Sequence, residues 1–371
     1  MTATLPGSAS PAASAVSADS VASAVGGPDA ALGDPARPLS DVLELCRRAV
    51  TPPLRAALDR LDPDSREQSA YHLGLTELDG SPGRGAGKAL RPALAQLSAA
   101  AAAVPTADAL PAAVAVELVH NFSLVHDDLM DGDTERRHRP TVWARWGAAA
   151  AVLTGDALLA LASEVLLESG SPHAPEATRL LAATTRELIR GQVDDLAFER
   201  RDDVGVDECL SMAAGKTGAL LATAASIGAV LAGAPDGLVR GLATYGSEIG
   251  MAFQLVDDLL GIWGDPSVTG KPVRSDLRSR KKSLPVTWSL THGGGPGREL
   301  AAWLADRTEP DEDGLRHAAA LVEAGGGRAW AAAEAARRVR LAESALDDAG
   351  PVPAAGARLV ELARHLVHRR S

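Results

Sequence analysis

The sequence predicts an all-α protein, and three observations carry that prediction. Ala dominates the chain and, with Leu, favours helix, whereas the aromatic residues that strands prefer make up only 3% of it. Hydrophobic residues are 46% of 371, enough to build a large core. Between the Gly and Pro breakers no run alternates with the two-residue period of a strand, which argues against a βαβ architecture.

Residues 1 to about 38 are Ala, Ser, Pro and Gly with a few Asp and no aromatic ring. They bury too little apolar surface to offset ordering entropy, so this segment reads as a disordered tail. It is either simply solvated or a docking peptide that loads the protein into a protein compartment. From Leu39 to residue 371 the pattern is that of one helical domain. Helices are expected over about 39–62, 88–104, 108–131, 141–170, 174–199 and 206–233, then 236–263, 283–293, 298–306, 312–324, 328–348 and 353–369. Breakers separate them: Pro82-Gly83, Pro105, Pro140, Gly170, Pro235, Pro266, Gly293 to Pro296, and Gly325 to Gly327.

The 37 basic and 48 acidic side chains give a net charge of −11, which excludes the basic footprint of a nucleic-acid binder. Cys46 and Cys209 are too few for a disulfide framework, so a reducing cytoplasm is the expected compartment. The first basic residue is Arg37, so the cationic start of a secretory signal is missing. Thr217 to Ala234 is uncharged, but it is built from Ala, Gly, Ser and Thr and ends at Pro235. It reads as a buried bundle helix, and no transmembrane segment is expected.

The chemistry starts at Asp127-Asp128-Leu129-Met130-Asp131. On a helix Asp127 and Asp131 share a face and Asp128 adjoins them. Three carboxylates in one turn repel each other, and the apolar run Phe122–Val125 before them implies burial, which unpaired charges do not tolerate. A divalent cation resolves the conflict, and all-oxygen ligation points to Mg²⁺. A second pair, Asp257-Asp258, also ends an apolar run, with Asp265 following. Asp202-Asp203 has no such context and reads as solvated surface.

Basic residues follow both clusters: Arg136-Arg137-His138-Arg139 after the first, and Lys271, Arg274, Arg280, Lys281 and Lys282 after the second. Upstream, Gly87-Lys88-Ala89-Leu90-Arg91-Pro92 leads from a glycine loop into a helix, an anion site in its own right. Neutralising ion pairs are the plain explanation. Carboxylates beside cations are also what a diphosphate needs, since it can ligate Mg²⁺ held by the acids while Arg and Lys take its other oxygens. Together the three groups suggest two diphosphates, one bridged by metal and one held by cations.

With these elements in order from Gly87 to Pro285, the sequence resembles the trans-prenyltransferases, the polyprenyl diphosphate synthase family. Gly155-Asp156, Gly191-Gln192 with Asp195, Lys216-Thr217, Phe253-Gln254 and Gly270-Lys271-Pro272 complete the match. The resemblance implies an isoprenoid synthase bundle of about a dozen helices around a central catalytic cavity, usually a homodimer. It implies that Asp127, Asp128 and Asp131 bind two Mg²⁺ and that Asp257 with Asp258 binds a third. Arg136, Lys216, Gln254, Lys271 and Lys281 would contact the allylic substrate, with Gln192 and Asp195 nearby, Asp195 counted among the metal-binding acids. Lys88, Arg91, His120 and Arg137 would hold isopentenyl diphosphate. His120 taken alone would read as a core histidine; its place seven residues before Asp127 matches the family's ligand.

In the implied reaction the allylic C–O bond breaks, Thr217 and Gln254 offer oxygen dipoles to the carbocation, and the departing diphosphate takes the proton. Two departures stand out. Gly261 replaces the usual third Asp of the second motif, and Arg274 stands where Gly is common. Product length depends on what blocks the tunnel below the first motif. Phe122 lies five residues, about 7.5 Å, before Asp127, next to the small Ser123. One aromatic there, with no insertion in the motif, resembles geranylgeranyl (C20) more than farnesyl (C15) synthases. The rival readings are a farnesyl or longer-chain synthase, a class I terpene cyclase, and a non-catalytic partner subunit of a synthase.

Overall fold

A computed structural model describes residues 29, 34, 36–83, 89–265, 273–306 and 308–367. Most of the expected tail, with its docking reading, lies outside these residues, as do Lys88 and Lys271. The described residues ahead of Leu39 touch the body: Asp29 Oδ1 accepts from the Thr106 amide at 3.0 Å, and Arg358 donates to the Asp34 carbonyl.

The all-α expectation holds. Helices α1 (Leu39–Leu58), α2 (Pro63–His72), α3 (Leu90–Ala101) and α4 (Leu110–Asp131) form the first half of the core. Then come α5 (Val142–Trp146), α6 (Ala148–Leu167), α7 (Ala174–Phe198), α8 (Val206–Ala213), α9 (Ala219–Ala224), α10 (Ile227–Leu231) and α11 (Asp236–Trp263). The short α12 (Ser275–Arg278) leads to α13 (Leu284–His292), α14 (Gly294–Ala305), α15 (Glu312–Ala324), α16 (Gly327–Ala349) and α17 (Pro353–Val367). Central α4 buries Val114, Val116, Leu118, Val119 and Phe122, and its small Ala112, Ala113 and Ala115 let neighbouring helices approach.

Four departures from the sequence reading have physical causes. The first helix stops at Leu58, and a separate α2 begins at Pro63, its Asp62 side chain capping the amides of Asp64 and Ser65. The expected 141–170 helix breaks at Gly147, which takes φ +92°. Between Glu135 and Pro140 a two-stranded hairpin forms, with Arg137 and His138 at φ +55° and +61° in its turn. The uncharged 217–234 stretch is a π turn (Ala214–Gly218) followed by two short helices, with Gly218, Leu220, Leu221, Ile227 and Val230 buried.

Candidate active site

Helix α4 ends in the first acidic cluster and α11 carries the second near its own C-terminus. Asp128 is 1% exposed, and its Oδ1 receives both Arg136 Nε and Nη2 at 2.7 Å. Its Oδ2 is buried without a hydrogen-bond partner. Burial pushes Asp127 up to about 6, Asp131 and Asp195 adding to the shift while Lys216 and Arg136 oppose it. Burial raises Asp128 and Asp131 as well.

In the second cluster Asp258 is buried and Asp257 exposed. Thr217 Oγ1 donates to Gln254 Oε1 at 2.8 Å, and Gln254 Nε2 donates to Asp258 Oδ1 at 2.8 Å. The Leu284 amide completes this chain on Asp258 Oδ2 at 2.9 Å. Burial lifts Asp258 to about 6, Asp276 reinforcing the rise and Lys281 opposing it.

Two lysines join the clusters. Lys216, on the π turn, reaches Asp195 Oδ2 at 2.5 Å and acts electrostatically on Asp127 and Asp131. Burial works against the charge on Lys281, but Asp258, Asp276, Asp195 and Asp257 outweigh it and raise its pKa. Lys281 also lowers Asp131, so it lies within electrostatic reach of acids from both motifs. Helix α7 approaches closely because Gly191 has no side chain: a Cβ there would lie 2.2 Å from the Lys216 amide nitrogen. Gln192 beside it is buried, with neither amide atom hydrogen-bonded.

A separate cationic pocket adjoins the first cluster. Arg91 Nη1 lies 3.2 Å from His120 Nε2; a guanidinium only donates, so that ring nitrogen accepts. Burial, then Arg91, Arg137 and Arg136, depress His120 well below its usual value, so the ring is neutral. Burial lowers Arg91 to about 10, and the half-buried Glu117 partly offsets this. The hairpin projects Arg136 toward Asp128 and places Arg137 within electrostatic reach of Arg91 and His120.

Phe122 is buried on α4 with its ring edge-on to His126 at 4.9 Å, and Ser123 Oγ donates to the His120 carbonyl. Arg274 pairs with Glu312 at 3.6 Å, alongside Arg278, and so serves as a surface contact. At Gly261 a Cβ would lie 2.3 Å from Asp276 Oδ2, so the Asp276 carboxylate fills the place of the missing side chain. The sequence did not single out Asp276 or Glu117; Asp276 sits inside a basic run that drew attention to its cations. Among the described residues no three carboxylate, imidazole or thiolate groups stand close enough to share one ion.

A helical bundle in which two aspartate clusters lie within electrostatic reach of Lys281, beside a second cationic pocket, has the architecture of enzymes that join prenyl diphosphates. The chain belongs to the polyprenyl synthetase family, whose family model matches residues 83–322. It is 54% identical over 357 residues to the (2E,6E)-farnesyl diphosphate synthase of Mycobacterium tuberculosis, covering 93% of this chain and 99% of that protein. It is 43% identical over 310 residues to the geranylgeranyl diphosphate synthase of the same species, covering 83% and 89%. The crystal structure of polyprenyl synthetase from Streptomyces coelicolor A3(2) matches with a TM-score of 0.85 at 50% identity, covering 89% of this chain and all of that one. The protein is therefore a prenyltransferase that elongates prenyl diphosphates.

Proposed function

We propose that the protein condenses isopentenyl diphosphate with an allylic diphosphate to give an all-trans product that ends at C20, and that it does so with Mg²⁺ as a homodimer. The observation that supports the site assignment is that Asp131 of the first motif and Asp257 and Asp258 of the second lie within electrostatic reach of the same Lys281. Since among the described residues no three acids gather round one point, each ion would take only one or two side chains; Asp128 Oδ2, buried and orphaned, and the burial-raised Asp127, Asp131 and Asp258 fit that role. Asp127, Asp128, Asp131, Asp257 and Asp258 would hold about three Mg²⁺, completed by substrate oxygens and waters. When bound, Mg²⁺ supplies positive charge at the leaving diphosphate.

The remaining work falls to the chain's own side chains. Arg136, Lys216 and Lys281 bind the leaving oxygens, with Lys271 assigned to the same anion by the family pattern. Asp195 keeps Lys216 directed between the clusters through their 2.5 Å pair. The Thr217–Gln254–Asp258 chain fixes the amide oxygen of Gln254 and the Thr217 hydroxyl as dipoles for the carbocation. Arg91, His120 and Arg137, with Lys88, hold isopentenyl diphosphate so that its alkene meets the cation in line. The departing diphosphate, left beside the newly formed cation with oxygens free to accept, takes the proton.

The C20 reading rests on Phe122 as the single aromatic ring below Asp127, with Ser123 leaving space beside it. Higher identity to the farnesyl synthase, 54% against 43%, favours C15 as the second reading. Incubation with Mg²⁺, isopentenyl diphosphate and dimethylallyl, geranyl or farnesyl diphosphate separates them. Conversion of farnesyl diphosphate to a C20 diphosphate is expected; accumulation at C15 supports the second reading, and cyclic hydrocarbons would overturn both. Buried free thiols at Cys46 and Cys209 fit a reducing compartment.

A further inference from the structure

Resting on the reading of Arg91, His120 and Arg137 as the isopentenyl diphosphate site, we propose that His72 is a further ligand of that diphosphate, donating its Nε2–H to a phosphate oxygen. His72 is the last residue of α2 and is 9% exposed. Its Nε2 is buried and has no hydrogen-bond partner. A core histidine normally satisfies both ring nitrogens, and leaving one unpaired in a buried site costs free energy.

The neighbouring contacts place this nitrogen beside the cationic pocket. Tyr71 is tied to the hairpin in three ways: its hydroxyl donates to the Pro140 carbonyl at 3.0 Å, its carbonyl accepts from Arg139 at 2.9 Å, and its ring lies 4.0 Å under the Arg139 guanidinium. His72 is thereby held against the hairpin that carries Arg136 and Arg137. The charges acting on its ring are Arg136, Arg137 and Arg139, and His72 in turn acts on His120. Arg91 Nε is a second buried donor with no partner in this pocket. Guanidinium groups cannot accept a hydrogen bond, so the arginines around this imidazole leave its donor to be matched by an anion. A diphosphate ester, with several acceptor oxygens and multiple negative charge, supplies one for each orphan.

The test compares His72→Phe, which keeps a ring but no nitrogen, and His72→Gln, which keeps a donor, with Arg91→Ala run in parallel. KM is measured separately for isopentenyl diphosphate and for geranyl diphosphate, and Kd for isopentenyl diphosphate by calorimetry. The expected result for His72→Phe is a rise of about tenfold in KM and Kd for isopentenyl diphosphate, the size of one hydrogen bond to a charged group. KM for geranyl diphosphate stays constant, and His72→Gln recovers most of the loss. In the wild-type protein, whose folding is not in question, isopentenyl diphosphate is expected to shift the His72 imidazole ¹⁵N resonances. Unchanged values in His72→Phe alongside a raised KM in Arg91→Ala overturn the role of His72 alone. Equal rises for both substrates mark a merely structural residue and overturn it too, and unchanged values in Arg91→Ala overturn the site assignment beneath it.

Discussion

Among single residues, Asp127 and Asp258 carry carboxyls that burial holds near pH 6 rather than 4. An acid whose pKa is higher folded than unfolded binds its proton more tightly in the native state. Its contribution to stability is therefore full below about pH 4 and is lost as pH rises through about 6. The metal-free protein is expected to melt at a higher temperature at pH 5 than at pH 7.5 by this contribution. Asp127→Asn should raise the metal-free melting temperature at pH 7.5 while removing part of the gain on adding Mg²⁺ with a diphosphate. A flat profile in both proteins would show that these acids are already neutralised otherwise. Gly261 shows how far one residue was legible: the sequence revealed that a carboxylate was missing from the second motif, but not that Asp276 fills its space. Gly261→Asp is expected to cost about 1–3 kcal/mol through overpacking against Asp276, read as a lower melting temperature. Gly261→Asp combined with Asp276→Gly should restore it, and an unperturbed single variant would mean that Asp276 moves freely.

Individual elements show which signals a sequence carries. Helix α4 was readable from end to end because its apolar run, its acidic cluster and Gly132 as left-handed cap follow ordinary helix grammar. Helix α2 was not, since Pro63–His72 has few apolar residues at helical spacing and is held by the Asp62 cap and by Tyr71. The hairpin carried no turn signal either, because its two positive-φ positions are Arg137 and His138 rather than Gly or Asn. The π turn at Ala214–Gly218 packs directly against Gly191 of α7, a tertiary contact that no local pattern encodes. Because α4 is rigid and buried, the depth of Phe122 below Asp127 is fixed by helical rise. Phe122→Ala is expected to shift the product distribution toward longer chains, by one isoprene unit or more, when products are separated by chain length. An unchanged distribution would remove Phe122 as the floor and transfer that role to residues on facing helices.

For the whole molecule, the order of motifs along the chain made the architecture legible, while association depends on surfaces that motifs do not describe. Helix α6 is strongly apolar, yet only 39% of its most apolar stretch is buried. Val152 and Leu153 on α6 are exposed, as are Ile189 and Val193 on the adjoining α7, with Leu153 at 64% and Val193 at 59%. Ile189 and Val193 are four residues apart and so share one helical face. An apolar surface of this kind, shared by two packed helices, suits a second copy of the chain related by two-fold symmetry. The proposed dimer therefore predicts that the wild-type protein sediments at twice the chain mass. Placing Asp at both Leu153 and Val193 should yield monomers, because burying those carboxylates against an apolar partner costs more than the contact returns. Leu341→Asp, at an exposed apolar position on α16, should leave the dimer intact. A double variant that still sediments as a dimer would move the interface off the α6–α7 face, and a monomeric wild type would remove the dimer altogether.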